Sequence, residues 1–509
     1  MAQTTPNGIF EPQPGSEIEA APPAEKQDLP IAQFSTERAV DRPMSETPSG
    51  CLTFVKRKGR YRPETQTKLR NSLLAGMGFL ELANAGDFAA NVWNKIPIPV
   101  YAIVLMVLGA SVALGILYFV VKDARLSWEN LRGLRAERYY LQKEKARHRQ
   151  DTEMTRTLES LLDVNFREMG TELVDRIGMD TFMGFGALTV GIGTFMAIGG
   201  ANENVYRASN LLSGYIGNAP CALYGLANLF WSIFVWRRAH RHSQAGTTRL
   251  TGSRMEQMLK IRTSRVKVHS SLNGITGIVG GAGSLVSATM WWGYVVLIPC
   301  IASSILANYF WRHKIGYQRP LVRQVVPFNE ESIVAELAFV DLSRQRWSQP
   351  RSDPFTGLVS KTESVSCVMQ FIVRNRLFEE FCMRLLADAE VCAALFDTSR
   401  DTVTISSESL GAVNDDAVRG RLIEIARALM TEAAPNCFRD QENSLLEVLG
   451  CVLCHPGDDN EKMVAQPAKN PATAEDSVAS STLDGLAEPC DSGDTLERVA
   501  ETDTSESST

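Results

Sequence analysis

The sequence predicts an all-α membrane protein of about five transmembrane helices, six if residues 71–93 also span. A duplicated helical hairpin, a mostly helical cytosolic domain and disordered tails complete the expected architecture. Three observations predict it. Residues 98–121 run for 24 positions without a charge, more than the roughly 20 that a helix needs to cross the hydrocarbon core. Residues 271–311 are likewise uncharged over 41 positions, enough for two short spans and a tight turn. The third is a partial repeat. Pro220–Trp231 reads PCALYGLANLFW, Pro299–Trp311 reads PCIASSILANYFW, and basic residues follow each arm. One helical pair used twice would give this pattern, as hairpin A over 179–240 and hairpin B over 270–314.

Residues 1–55 are rich in Pro, Ser, Thr and Glu and lack apolar periodicity. They cannot bury enough surface to offset chain entropy and read as a disordered tail. The segment 56–95 opens on a basic knot, Lys56, Arg57, Lys58, Arg60 and Arg62. It reads as a solvated linker or as a contact to anionic lipid headgroups, worth roughly 1 kcal/mol per basic residue. In 71–93, Leu73, Leu74, Met77, Leu80 and Phe88 are apolar, but Glu81, Asn84 and Asp87 intervene. A carboxylate at the bilayer centre costs on the order of 3 kcal/mol, so an amphipathic helix lying in the interface is expected. If the segment spans instead, Glu81 and Asp87 become functional suspects.

Transmembrane helix 1, residues 98–121, is followed by Lys122, Arg125, Arg132, Arg135 and Arg138, with only Lys95 in the twenty residues before it. Positive residues stay inside, so this span enters the cytosol. Residues 122–178 carry 12 Lys/Arg and 11 Asp/Glu, interleaved, and read as an exposed cytosolic helix laced by i,i+4 pairs. Leu134 and Leu141 are seven apart, but no run of heptads supports a coiled coil.

The hairpins are rich in small residues. Ser213, Gly217, Cys221 and Gly225 recur every fourth position in hairpin A, and Gly277 and Gly281 form a GxxxG in hairpin B. Such spacing lets helix backbones approach where lipid supplies no drive between them. Pro220 predicts a kink. Asn228 and Asn308 are equivalent in the repeat; bonding to neighbouring helices is the expected role, lining a polar path the other. Between the hairpins, 241–269 reads as a basic cytosolic loop; with its flanks, 237–270 holds nine Lys/Arg and one Glu. Trp291-Trp292-Gly293 suits the turn of hairpin B at the interface.

Residues 320–455 predict a helical cytosolic domain. Asn329-Glu330-Glu331-Ser332 reads as a helix start, and Thr402–Ser406 is the only strand candidate. Residues 456–509 carry 13 Asp/Glu against three Lys/Arg and read as an acidic disordered tail.

The sequence offers no catalytic set, cofactor site or metal site. Cys451-Val452-Leu453-Cys454-His455 matches the C-x-x-C-H haem-attachment pattern, but it ends an amphipathic helix in a domain expected in the cytosol, where haem is not attached this way. No second pair of ligands has zinc spacing. The ten cysteines are scattered, which is no disulfide framework, and neither signal peptide nor nucleic-acid-binding pattern is present. These residues point to a non-enzymatic, membrane-embedded interaction or scaffold protein in contact with the lipid bilayer and an unknown protein partner. The alternative is a transporter or channel for a neutral or lipid-like solute between the hairpins.

The WRRAHRH basic exit, the Gly-rich arms and the long polar tails resemble uncharacterised multi-pass integral membrane proteins of filamentous fungi, over roughly residues 70–455. The resemblance implies a eukaryotic plasma membrane or endomembrane and carries no activity.

Overall fold

The computed structural model describes residues 50–71, 73–93, 98–348, 355–396 and 401–455. Of the tails expected at 1–55 and 456–509, residues 1–49 and 456–509 lie outside the described residues. The described chain begins as strand. β1 (Cys51–Arg57) and β2 (Arg60–Pro63) form an antiparallel hairpin. Its turn is Lys58-Gly59, with φ of 52° and 76°, the mirror-image turn that matches strand twist. The basic knot expected to be a solvated linker is therefore strand and turn, and so is the end of the tail at 51–55. Alternation explains it: Phe54 is fully buried while its neighbours are more open, as a strand with one covered face requires.

β3 (Lys68–Leu69) leads into residues 73–93, which fold as a 3₁₀ turn at Ala75–Phe79, α1 (Leu80–Asn84) and α2 (Phe88–Val92). This broken segment runs antiparallel to α3 (Val100–Arg147). At one end the Leu74 N–H donates to Asp123 Oδ1; at the other the Trp93 ring meets Tyr101 edge-on. Between Tyr101 and Asp123 the helix rises about 33 Å, the depth of a hydrocarbon core. The interfacial helix expected over 71–93 is replaced by a segment sunk into the bundle, with Leu80, Ala83 and Asp87 buried.

α3 continues past its apolar stretch, turns at 148–151 and returns as α4 (Thr152–Gly170), whose N-cap Asp151 accepts from the Met154 N–H. The charged helix expected over 122–178 is thus a helical hairpin. Leu134 and Leu141 are fully buried, and Asn165 Nδ2 donates across to the Leu134 carbonyl. A π-helical stretch at Thr171–Gly178 joins α4 to α5 (Met179–Ala197). Then follow α6 (Glu203–Asn210), a second π stretch at Leu211–Ile216, α7 (Asn218–Arg249), α8 (Arg254–Ser287) and α9 (Gly293–Phe310). Among the described residues three helices are long and apolar enough to cross a membrane: Val100–Arg147, the run Glu203–Arg249, and Gly293–Ile315.

The basic loop expected at 241–269 is almost entirely helix. Only 250–253 turn, with Ser253 capping α8. Arg238, His242 and Arg262 are buried because these helix extensions are covered by the folded domain. That domain contains β4 (Arg319–Pro320), paired with β3, and α10 (Glu330–Trp347), started by a capping box of Asn329 and Ser332. It continues through α11 (Val365–Arg374), α12 (Phe378–Ala387), α13 (Ala389–Leu395), β5 (Thr402–Ser406), α14 (Ser407–Gly411) and α15 (Asp416–Cys454). β5 pairs antiparallel with β1, giving the sheet order β2-β1-β5. The core therefore includes Phe54, Val164, Leu250 and Leu259 beside Ile333, Phe381 and Leu449. The domain expected at 320–455 is not closed within those bounds.

Candidate functional site: a polar seam along the broken segment

The sequence NAGD at 84–87 breaks the segment between α1 and α2. Gly86 lies against Gly109 of α3 so closely that a Cβ on Gly109 would stand 2.3 Å from the Gly86 carbonyl oxygen. Two glycines thus allow backbone-to-backbone contact where the helix is interrupted. Glu81, Asn84, Asp87 and Asn91 follow at intervals of three, three and four, the spacing of one helical face.

Their partners differ. Asp87 Oδ1 accepts from the Tyr294 hydroxyl of α9 at 2.9 Å, and its Oδ2 accepts from Asn91 Nδ2 at 2.9 Å. Asn91 Nδ2 also reaches the Tyr294 oxygen at 2.7 Å. Asn84 is buried, and neither its Oδ1 nor its Nδ2 has a hydrogen-bond partner. It faces Gly186 of α5, where a Cβ would come within 3.0 Å of Asn84 Oδ1. Glu81 faces Gly280 of α8, whose Cβ would lie 3.7 Å from Oε2; it has no hydrogen bond or ion pair among the described residues. Unpaired polar atoms in a buried site cost several kcal/mol each in a medium without water. They call for water, a proton or a ligand.

At the domain end the seam meets a cluster of charges. Arg176, in the π stretch, donates to Asp123 Oδ1 at 2.9 Å and to Glu172 Oε2 at 3.1 Å. Both oxygens of buried Asp180 lack a partner. Asp123 and Glu172 therefore share one guanidinium, and Asp180 stands near it unbonded. Burial pushes the Glu172 carboxyl up, against the pull of Arg176. Asp175 next door accepts from Trp231 Nε1 at 3.1 Å, and burial pushes its carboxyl up to about 7.

Beyond this cluster the domain joins the bundle through a second knot of charge. Glu447 of α15 meets Arg262 at 3.1 Å, Arg238 at 3.4 Å and Arg167 at 3.4 Å, from three different helices. Burial alone would raise the Glu447 carboxyl, but the three arginines hold it well below the usual range. The neighbouring His242 ring packs on Gly450, and burial lowers its imidazole to about 3. Arg319 is held in the same way, by Glu137 at 2.7 Å and by Glu168.

The residues singled out in the sequence divide between packing and the seam. A Cβ on Gly225 would lie 2.2 Å from the Gly277 carbonyl oxygen, and one on Gly281 2.8 Å from Ala222 Cα. Gly217 lies against Thr189 and Val190 of α5. Asn228 exchanges bonds with Asn273 of α8, donating to its carbonyl at 3.1 Å and accepting from its Nδ2 at 3.0 Å. Asn308 is half-buried beside Gly78 of the 3₁₀ turn and has no hydrogen-bond partner among the described residues. The two asparagines of the repeat thus have different surroundings. In the C-x-x-C-H stretch, Arg238 Nη2 donates to Cys451 Sγ at 2.9 Å, and His455 pairs with Asp163 at 3.1 Å. Among the described residues no group of three or more His, Cys, Asp or Glu could hold a metal ion. Asp123, Asp180, Tyr294 and Glu447 were missed by sequence reasoning. Asp180 lies one residue past the expected start of hairpin A, and that position was its only signal.

No family model matches the chain, and neither a curated protein nor a solved structure is similar to it.

Proposed function

We propose that the protein is a proton-conducting multi-pass membrane protein, with Glu81 and Asp87 as the groups that hold the proton. On this reading the broken segment is a sixth crossing. The basic exits keep the folded domain and both described chain ends in the cytosol, and the apolar outer faces meet lipid. Hairpins A and B supply the remaining walls, with anionic headgroups at the basic rim. One observation carries the reading: a helix broken inside the bundle lines up Glu81, Asn84 and Asp87, and among the described residues Asn84 and Glu81 have no hydrogen-bond or ion-pair partner. Intramembrane carboxylates on interrupted helices are the hallmark of proton and ion paths.

The test is proton flux into proteoliposomes under a potassium diffusion potential, read with a trapped pH dye. The wild type should shift internal pH at least tenfold faster than protein-free vesicles. Glu81→Gln and Asp87→Asn should each slow it tenfold or more while leaving folded yield within twofold. A wild type no faster than empty vesicles defeats the proposal.

The interaction-protein reading would then take its place. Its support is the buried Glu447 knot, which holds the domain rigidly on the bundle as a platform for a protein partner.

A further inference from the structure

α11 ends in a Schellman motif. The Leu377 N–H donates to the Ile372 carbonyl and the Arg376 N–H to the Val373 carbonyl. That puts Arg376 at the left-handed position that follows the helix, with φ of 61°. Glycine is the residue that usually takes this place, because a side chain there crowds the backbone. Strain of this kind persists where the side chain is wanted.

The Arg376 guanidinium has no hydrogen bond or ion pair among the described residues. It lines a cavity of about 330 Å³ between β1, the β3–β4 pair and the start of α12, within the size of a small-molecule site. Burial holds its guanidinium below the usual arginine range. Arg323, on the same cavity, donates only to neutral oxygens, Thr65 Oγ1 at 3.0 Å and the Gln66 carbonyl at 3.2 Å. The other charged residues that line the cavity are Lys68, Glu64 and Glu379. Lys68 pairs with Glu380 at 2.6 Å, Glu379 accepts from Thr67 and faces Arg70, and Glu64 is exposed. Among the described residues neither guanidinium forms an ion pair; Arg323 is exposed, as Glu64 is, and Glu336, whose charge acts on Arg376, pairs with Arg374 at 3.3 Å. The two guanidiniums stand beside the Thr53 and Thr65 hydroxyls and an apolar wall of Leu321 and Phe378.

We propose that this cavity binds a soluble phosphate monoester, with Arg376 and Arg323 on the dianionic phosphoryl group and its organic part against Phe378 and Leu321. A guanidinium fork matches phosphate oxygens two at a time, and two of them match its double charge. The site is separate from the seam and does not depend on what the seam does.

The test is titration calorimetry on the full chain in phosphatidylcholine nanodiscs, with glucose 6-phosphate and AMP as probes and citrate and glucose as controls. At least one monoester should bind saturably, and glucose should not bind. Arg376→Gly and Arg323→Gln should each weaken that binding tenfold or more. Arg376→Gly removes the strain, so its thermal midpoint should equal or exceed the wild type. Loss of binding therefore cannot be ascribed to misfolding. The proposal is overturned if neither monoester binds, if Arg376→Gly binds as tightly as the wild type, or if citrate binds and the monoesters do not. Binding seen only with phosphatidic acid in the bilayer would overturn the soluble source.

Discussion

Glu447 stands where three guanidiniums from α4, α7 and α8 meet, and its side chain is almost fully buried. Removing one partner of a buried ion pair leaves the other charges unpaired, at a cost of about 3–5 kcal/mol. Glu447→Gln should lower the stability of the purified protein by that order, read as a large drop in thermal midpoint. The exposed pair Glu203–Arg207 at the opposite end of the bundle is the comparison. Glu203→Gln should leave the midpoint unchanged, because exposed pairs contribute little. Equal effects at the two positions would mean that Glu447 is solvated and the knot carries no load.

The helices of the bundle meet where side chains are missing. Gly225 faces the Gly277 backbone and Gly109 faces Gly86, whereas a Cβ on Gly115 would meet nothing within 4 Å. Gly225→Ala and Gly109→Ala should each destabilise by about 1–3 kcal/mol through overpacking, while Gly115→Ala should be neutral or slightly stabilising. Thermal unfolding in micelles decides it, and a neutral Gly225→Ala would contradict the close crossing. The small-residue spacing at 217, 225, 277 and 281 was visible in the sequence because packing without side chains leaves a periodic mark. The capping box at Asn329 and the strand at Thr402–Ser406 were visible for the same local reason. The broken segment was not. Its carboxylates argue against burial residue by residue, and the Gly86–Gly109 contact that admits it joins residues far apart in sequence. The helical extensions of α7 and α8 were hidden by charge. Nine basic residues in one stretch read as solvated loop, yet Arg238 and Arg262 find their counter-charge on Glu447, some two hundred residues later.

For the molecule as a whole, the same knot sets a pH dependence. His242 and Glu447 both have folded pKa values below their ordinary ones. Below the ordinary histidine value of 6.5, an unfolded His242 takes up a proton that the folded one refuses until about 3. The His242 contribution to stability is therefore fully present above 6.5 and falls as the pH drops through that window, by at most about 1.4 kcal/mol per pH unit for one proton. Asp175, raised to about 7, contributes in the opposite sense. The Glu447 contribution is lost in turn at still lower pH. His242→Gln should flatten the upper part of the profile, between pH 6.5 and 5, and leave the lower part in place. An unchanged slope in that variant would show that other groups control acid unfolding.

The pairing of β1 with β5 has a further consequence, for the order in which the protein can be made. Thr53 and Thr404, opposite each other in the sheet, are 351 residues apart. At typical synthesis rates β5 leaves the ribosome roughly 20–70 s after β1. Throughout that time the thirteen helices from α1 to α13 are made while β1, with Phe54 exposed, waits for its neighbour. Closing the sheet thus follows the synthesis of all the helices that lie between its strands. A chain stopped anywhere before residue 402 holds an open strand edge, the kind of surface that chaperones bind and that pairs with other chains when they are absent.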